Sequence, residues 1–158
     1  MLIGVVSDTH GQTDYTLDAV RMLETFDVDA VLHCGDVGGA EIVELFKRWP
    51  TYFVFGNVDD PRSLRRAIAA AGQTCCEYFG SLELSGVKIA ILHGDDTARL
   101  AAASKEGYGL VCHGHTHVAK QIQVGDTIVL NPGALYRATP HSLAIVELPA
   151  RRIEIISV

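Results

Sequence analysis

The chain lacks a surplus of positive charge: Lys and Arg number 13 against 19 Asp and Glu in 158 residues, a formal charge of −6. Duplex nucleic acid is held by clustered cations that neutralise phosphates, so it is not an expected partner. Cysteine is scarce too, and Cys34, Cys75, Cys76 and Cys112 form no C-x-x-C spacing. A chain of this size needs no disulfide framework, so four reduced thiols are expected. Cys34 and Cys112 fall inside apolar strand-like runs and read as core filler. Long hydrophobic runs are missing as well. Met1 to Asp8 carries no basic cluster and only a short apolar stretch. Neither a signal peptide nor a membrane span is therefore expected there, and the expected compartment is the cytoplasm. Repeats, low-complexity tracts and linkers are absent. With 48% hydrophobic residues, one compact domain over residues 1–158 is expected.

What the chain does have is alternation. Short β-branched or aromatic runs at Leu2 to Val6, Ala30 to Leu32, Tyr52 to Phe55, Ile89 to Leu92 and Leu110 to Cys112 end in glycine or polar residues and read as buried strands. Helical periods separate them. Ile42, Leu45, Phe46 and Trp49 recur at i, i+3, i+4 and i+7, as do Leu64, Ala67, Ile68 and Ala71. These stripes predict core-facing helices, and further helices are predicted over Thr13 to Phe26 and Thr97 to Glu106. Asp60 before Pro61 is a helix start, while Gly72 and Gly107 suit a left-handed helix end. From Ala119 onward only strands are predicted, around Ile122, Ile128 to Leu130, Leu143 to Val146 and Ile153 to Ile156, as an antiparallel region. The expectation is an α/β (α+β) fold of two packed sheets with helices outside.

The chemistry sits at the strand ends. Five apolar runs each finish in a turn carrying potential metal ligands: Asp8-Thr9-His10, Gly35-Asp36, Gly56-Asn57-Val58-Asp59, His93-Gly94 and Gly114-His115-Thr116-His117. Ligands of α/β sheets gather at the carboxyl ends of strands, so five such turns converge on one place. Imidazole, carboxylate and amide oxygen together suit Mn²⁺, Fe²⁺ or Zn²⁺ better than Ca²⁺. Seven candidates (Asp8, His10, Asp36, Asn57, His93, His115 and His117) exceed one tetrahedral site and fit two ions about 3.5–4 Å apart. Asp36 is the natural bridge, one oxygen for each ion. His33 and His113, just ahead of ligand turns, are read as hydrogen-bonded core or supporting residues, and His141 as a surface residue. Asp95 and Asp96 are read as caps of the helix beginning near Thr97.

This ordered set of D-x-H, G-D, G-N-x-[DE], a lone His and G-H-x-H resembles the calcineurin-like metallophosphoesterase superfamily, and the match spans essentially the whole chain. The small size, Asn131-Pro132-Gly133 and the G-N-V-D form resemble its compact bacterial and archaeal phosphodiesterases, whose fold is shared by Vps29 of retromer. The resemblance implies a four-layer αββα sandwich of two mixed β-sheets. It assigns Asp8, His10, Asp36 and His117 to one metal, and Asp36, Asn57, His93 and His115 to the other. Asp36, Asn57 and His93 are the expected catalytic residues. The implied cofactors are two divalent ions, Mn²⁺ foremost, with Fe, Zn or Ni as alternatives.

Two departures from the family pattern carry consequences. Val58 stands where many members have His, so the usual proton donor to the leaving oxygen is missing. A positioned general acid contributes about 10²–10⁴-fold, mostly for basic leaving groups. Diesters with good leaving groups are therefore the expected substrates, attacked by a hydroxide held between the two ions. Ala134 removes a hydroxyl that relatives often carry. Asp59 is expected to support a ligand histidine. Arg62 and Arg137 are candidate phosphate contacts, with Arg65 and Arg66 near Arg62. The expected partner is a small phosphodiester, without a membrane, and assembly into a homo-oligomer is compatible with the sequence. The competing functions are a Vps29-like protein-binding module and a nucleotide phosphomonoesterase.

Overall fold

Short buried runs alternate with helical periods, and a computed structural model describing residues 1–158 shows what they build. In chain order the elements are β1 (Leu2–Val6), α1 (Thr13–Thr25), β2 (Ala30–His33), α2 (Ala40–Leu45), β3 (Thr51–Phe53), α3 (Pro61–Ala70), β4 (Thr74–Cys75) and β5 (Phe79–Leu84). They continue as β6 (Val87–Leu92), α4 (Thr97–Ala103), β7 (Leu110–Cys112), β8 (Lys120–Val124), β9 (Thr127–Asn131), β10 (Ser142–Glu147) and β11 (Arg152–Ser157). One sheet runs β11-β10-β1-β2-β3-β4 and the other β5-β6-β7-β9-β8. The first sheet runs parallel from β1 to its β4 edge and antiparallel through β10 and β11 on the other side, whereas the second has a parallel centre flanked by antiparallel edges, so both sheets are mixed.

The period-2 alternation of each strand divides the core into three slabs. Ile3, Val5, Leu32, Ile89, Ile91, Leu110, Leu130 and Val146 meet between the sheets, with Cys34 and Cys112 among them. Val6, Val31 and Phe53 face the other way, onto Leu23, Ile42, Phe46 and Ile68 of the helical side. Ala90, Leu92, Val111 and Val129 pack against Ala103 of α4. The result is the four-layer αββα sandwich. Gly4 is glycine because Leu23 of α1 lies where a Cβ would project. All four cysteines are free thiols. The longest helix, α1, has 13 residues, and no helix is long and apolar enough to cross a membrane.

Local signals behave as their physics requires. The Asp60 side chain accepts from Arg62 N–H at the start of α3, with Pro61 in the first turn, and Asp96 accepts from Arg99 N–H to cap α4. Gly72 and Gly107 have φ of +68° and +79°.

Several boundaries differ from expectation. The helical stripe through Trp49 does not continue: α2 stops at Leu45 and Phe46 caps it. Trp49 N–H then bonds the Phe46 carbonyl in a tighter turn, which still buries the ring. α4 ends at Ala103, short of Glu106, because Lys105 and Glu106 bond back in short turns. β3 ends at Phe53, since Phe55 N–H leaves the ladder for the Glu77 carbonyl. β4 and β5 add to the expected strands. β4 has only two residues, and β5 is an edge strand with half-exposed alternation that offers little apolar signal. The strands after Ala119 do not form one antiparallel region. The β8–β9 hairpin joins the second sheet, where β9 runs parallel to β7, while β10 and β11 complete the first.

Candidate metal centre

The carboxyl ends of β1, β2 and β3 from one sheet, and of β6 and β7 from the other, open onto the same end of the sandwich. Each releases a turn in which the backbone reverses sharply. Five of the seven candidate ligands have left-handed backbone: Asp8 (φ +55°), His10 (+47°), Asp36 (+52°), His115 (+69°) and His117 (+59°). Such conformations cost non-glycine residues about 1–3 kcal/mol each and persist where the surroundings enforce them. Here the turns are sewn together: Asp8 N–H bonds the Gly35 carbonyl, His10 N–H that of Asp36 and Gly11 N–H that of Val37. Gly56 and Gly114 permit the closest approaches, since a Cβ would fall on Asp36 Oδ1 at the first and on Ser7 Oγ at the second.

Both carboxylates divide their oxygens between support and site. Asp8 Oδ2 accepts from His115 N–H at 3.1 Å, tying the sheets together, while Oδ1 lies 3.2 Å from His117 Nε2 and 3.8 Å from His10 Nε2. Asp36 Oδ1 accepts from Val58 N–H at 3.2 Å, and Oδ2 lies 3.5 Å from His10 Nε2 and 3.3 Å from His93 Nε2. The expectation that Asp36 offers one oxygen to each group is thus corrected: Oδ2 alone lies near both, because Oδ1 is occupied by Val58. Asn57 Oδ1 stands 3.0 Å from His93 Nε2 and 3.1 Å from His115 Nδ1. All seven residues are brought together. Within them, Asp8, His10 and His117 make one group of donor atoms spaced to hold an ion, and Asp8, Asp36 and His93 another.

The histidines are aimed from behind. His93 Nδ1 is 2.8 Å from the Cys34 carbonyl and His117 Nδ1 is 3.4 Å from that of Arg137, so each turns Nε2 to the site. A second-nitrogen bond to a carbonyl fixes the tautomer that leaves a lone pair forward. His10 packs on Tyr136, ring centroids 5.2 Å apart. The buried atoms Asp8 Oδ1 and His10 Nε2 have no hydrogen-bond partner. Orphaned buried acceptors are rare in folded proteins. Here they point at one another's neighbours, which is the donor set a divalent cation satisfies.

Burial raises the cost of ionising Asp36, but the hydrogen bond and charge of His93, aided by Val58 N–H, hold its carboxyl below the usual range. Burial likewise opposes charge on His93, and Asp36 and the Cys34 carbonyl outweigh it, raising the imidazole. His33 is different: fully buried between Phe46 and Phe53, it is lowered to about 3, chiefly by burial. Thr9 Oγ1 donates to the Val37 carbonyl at 2.8 Å and so accepts from His33 Nε2, 3.1 Å away. His33 therefore supports the D-x-H turn as a neutral Nε2–H tautomer. His113 Nδ1 bonds the Gly114 carbonyl at 3.1 Å, and half-buried His141 packs on Tyr15.

Asp59 does not support a histidine. Its carboxylate accepts three backbone N–H groups, from Val37 at 3.2 Å, Gly38 at 3.0 Å and Gly56 at 2.8 Å, and so clamps the Asp36 turn to the Asn57 turn. Carboxylates prefer such concave backbone nests when one is within reach. Arg65 is committed to Glu77, at 2.7 and 2.6 Å. Arg62 is exposed on α3, and exposed Arg137 lays its guanidinium over Tyr136, 5.1 Å from the ring centroid. Sequence reasoning missed the work of Asn131. Its Nδ2 donates to the Gly114 carbonyl at 2.8 Å and Thr116 Oγ1 at 3.0 Å, and its Oδ1 accepts from Gly133 N–H at 2.9 Å, bracing the His115–His117 turn. Asn131-Pro132-Gly133 was a visible signal, but its target lies across β7 and β9. Ala134 is buried, and its methyl group brings no hydroxyl.

Comparison with known proteins agrees with this geometry. Residues 1–151 match the calcineurin-like phosphoesterase superfamily domain. A phosphodiesterase of Methanocaldococcus jannaschii is 31% identical over 138 residues, covering 84% of this chain and 83% of the relative. A solved archaeal phosphodiesterase superposes with a TM-score of 0.92 at 28% identity, over 100% of both chains. Vps29 of Entamoeba histolytica, solved with zinc, shares the fold at 20% identity, with a TM-score of 0.67 over 100% of this chain and 98% of that one.

Proposed function

The chain belongs to the calcineurin-like phosphoesterase superfamily, and we propose that it is a metal-dependent phosphodiesterase acting on small diesters with good leaving groups. The observation that carries this reading is the convergence of seven donor residues with two buried, partnerless acceptor atoms, Asp8 Oδ1 and His10 Nε2. Asp8, His10, Asp36 and His117 would hold one divalent ion, and Asp36, Asn57, His93 and His115 the second. Bound there, such ions supply Lewis acidity, neutralising phosphoryl oxygens and acidifying water. Imidazole and carboxylate donors suit borderline divalent ions, and among them the family resemblance puts Mn²⁺ first, with Fe, Zn or Ni as alternatives.

The residues of the chain do the positioning. Asp36, Asn57 and His93 form the floor on which a phosphoryl group rests, and the Cys34 and Arg137 carbonyls keep His93 and His117 from rotating away. Val58 presents an apolar side chain, 60% exposed, and its N–H is spent on Asp36. No proton donor therefore stands at this position to assist a basic leaving oxygen, which supports diesters of acidic alcohols over alkyl monoesters. Exposed Arg62 and Arg137 are candidate phosphate contacts at the rim. A small soluble diester, not a membrane or duplex nucleic acid, is the partner this reading requires, in a cytoplasmic setting.

The test is hydrolysis of bis(p-nitrophenyl) phosphate against p-nitrophenyl phosphate by chelated protein with and without added Mn²⁺. Metal-dependent turnover favouring the diester is expected. Faster monoester release would replace the reading with a phosphomonoesterase. No turnover with any divalent ion would replace it with a Vps29-like binding module.

A further inference from the structure

A cavity of about 400 Å³ opens beside the donor cluster and shares His93 with it. Its other walls include Phe55, Tyr78, Phe79, Asp95 and Arg99, none of which metal binding explains. The aromatic walls are backed by cations held rigid by ion pairs. Arg65 lies over Phe55, 5.5 Å from the ring centroid, and is paired with Glu77. Arg99 lies over Phe79 at 3.7 Å and is paired with Glu106 at 2.8 Å. Tyr78 meets Phe55 edge-on, centroids 5.5 Å apart, yet is 61% exposed. It is held there by a left-handed residue: Glu77 has φ +58°, and its carbonyl accepts from Phe55 N–H.

We propose that this cavity is a nucleobase subsite, so that the natural substrate is a nucleoside phosphodiester whose phosphorus lies at the donor cluster; the assignment rests on the phosphodiesterase reading above. Phe55 is buried and Arg99 covers Phe79, so the exposed ring of Tyr78 supplies the π-face, and such a face accepts any base by stacking. Exposed Asp95 at the mouth accepts from ring N–H or exocyclic amino groups, and Arg99 places positive charge beside the ring. An acyl chain gains nothing from a charged mouth, and a cationic lipid headgroup, which aromatic faces can bind, meets the positive charge of Arg99 here. The cavity volume falls in the range of small-molecule sites and accommodates a base with its sugar.

The experiment compares thymidine 5′-(p-nitrophenyl) phosphate with methyl p-nitrophenyl phosphate, which release the same phenolate. The kcat/KM ratio is expected to favour the nucleoside ester by about tenfold or more, mainly through KM. Tyr78→Ala should bring the ratio toward one and Tyr78→Phe should retain it. The ratio is taken within one preparation, so a partly unfolded variant does not disturb it. A ratio near one, or a preference that survives Tyr78→Ala, overturns the subsite, whereas failure to hydrolyse either ester overturns the phosphodiesterase reading. An NMR titration of metal-free protein with thymidine monophosphate separates the two. Shifts at the Tyr78 ring and the Asp95 amide support the subsite even without turnover, and their absence overturns it even with turnover.

Discussion

His93 Nε2 and Asn57 Oδ1 stand 3.0 Å apart although His93 Nδ1 already faces the Cys34 carbonyl at 2.8 Å. With its Nδ1 proton given to Cys34, a neutral His93 offers Asn57 only a lone pair, and two acceptors confront each other. Burial opposes charge on this ring, but Asp36 and the Cys34 carbonyl raise it, and the proton they favour on Nε2 also relieves the confrontation with Asn57.

A divalent ion must displace that proton. Metal affinity is therefore expected to rise with pH until the raised His93 value is passed. Calorimetry in two buffers of different ionisation enthalpy should show about one proton released, and no release would remove the explanation. Without metal the sign reverses. A raised imidazole contributes stability below the unfolded value of 6.5 that is lost as pH climbs through the folded value, so metal-free protein should lose stability on that climb.

His33 has the opposite dependence. Its folded value of about 3 lies below the unfolded 6.5, so its contribution is complete above 6.5 and is lost as pH falls between them. The gap is worth a few kcal/mol by order of magnitude. His33→Gln keeps a donor for Thr9 and cannot titrate. Urea midpoints at about pH 7 and pH 4 should fall less in the variant than in the parent. Equal losses would show that His33 does not govern the acid limb.

Asp59→Ala strands three backbone N–H groups at once. A loss of about 1–3 kcal/mol is expected, with Asp59→Asn intermediate because one oxygen acceptor survives. Denaturant unfolding measures the loss, and metal titration should weaken in parallel because the Asp36 and Asn57 turns part.

Asn131→Ala leaves the His115–His117 turn without its two side-chain bonds. Metal affinity and turnover are expected to fall about 10–100-fold, the usual consequence of losing a group that orients ligands. An unchanged metal titration would show that Asp8 holds the turn alone.

Val58→His tests the missing proton donor. The position is exposed, so the imidazole displaces no packing. Turnover of diesters with alkyl leaving groups should rise, by about 10²-fold at best, while release of p-nitrophenolate changes little. A new basic limb in the pH–rate profile for the alkyl ester would identify the donor.

The sequence by itself determined which donor residues gather at the candidate metal centre. Each of the seven candidates lies in a turn soon after a short apolar run, and parallel strands of α/β sheets place such turns on one edge, so local patterning sufficed to bring all seven together. The layered fold was legible for the same reason, since alternation of buried runs with helical stripes admits few packings. What only the tertiary structure decided are contacts between chain-distant groups. Asp59 sits beside candidate histidines in the sequence, but a nest of N–H groups from Val37, Gly38 and Gly56 competes for its carboxylate and wins. Asn131 reaches a turn 17 residues away because β9 lies beside β7. The aromatic cavity joins β5, an edge strand too polar on its outer face to be read, to the ends of β3 and β6. Ligand identity follows from local chemistry that backbone geometry merely repeats. Support and specificity arise where strands meet, and hydrogen-bond competition across those meetings has no local pattern to betray it.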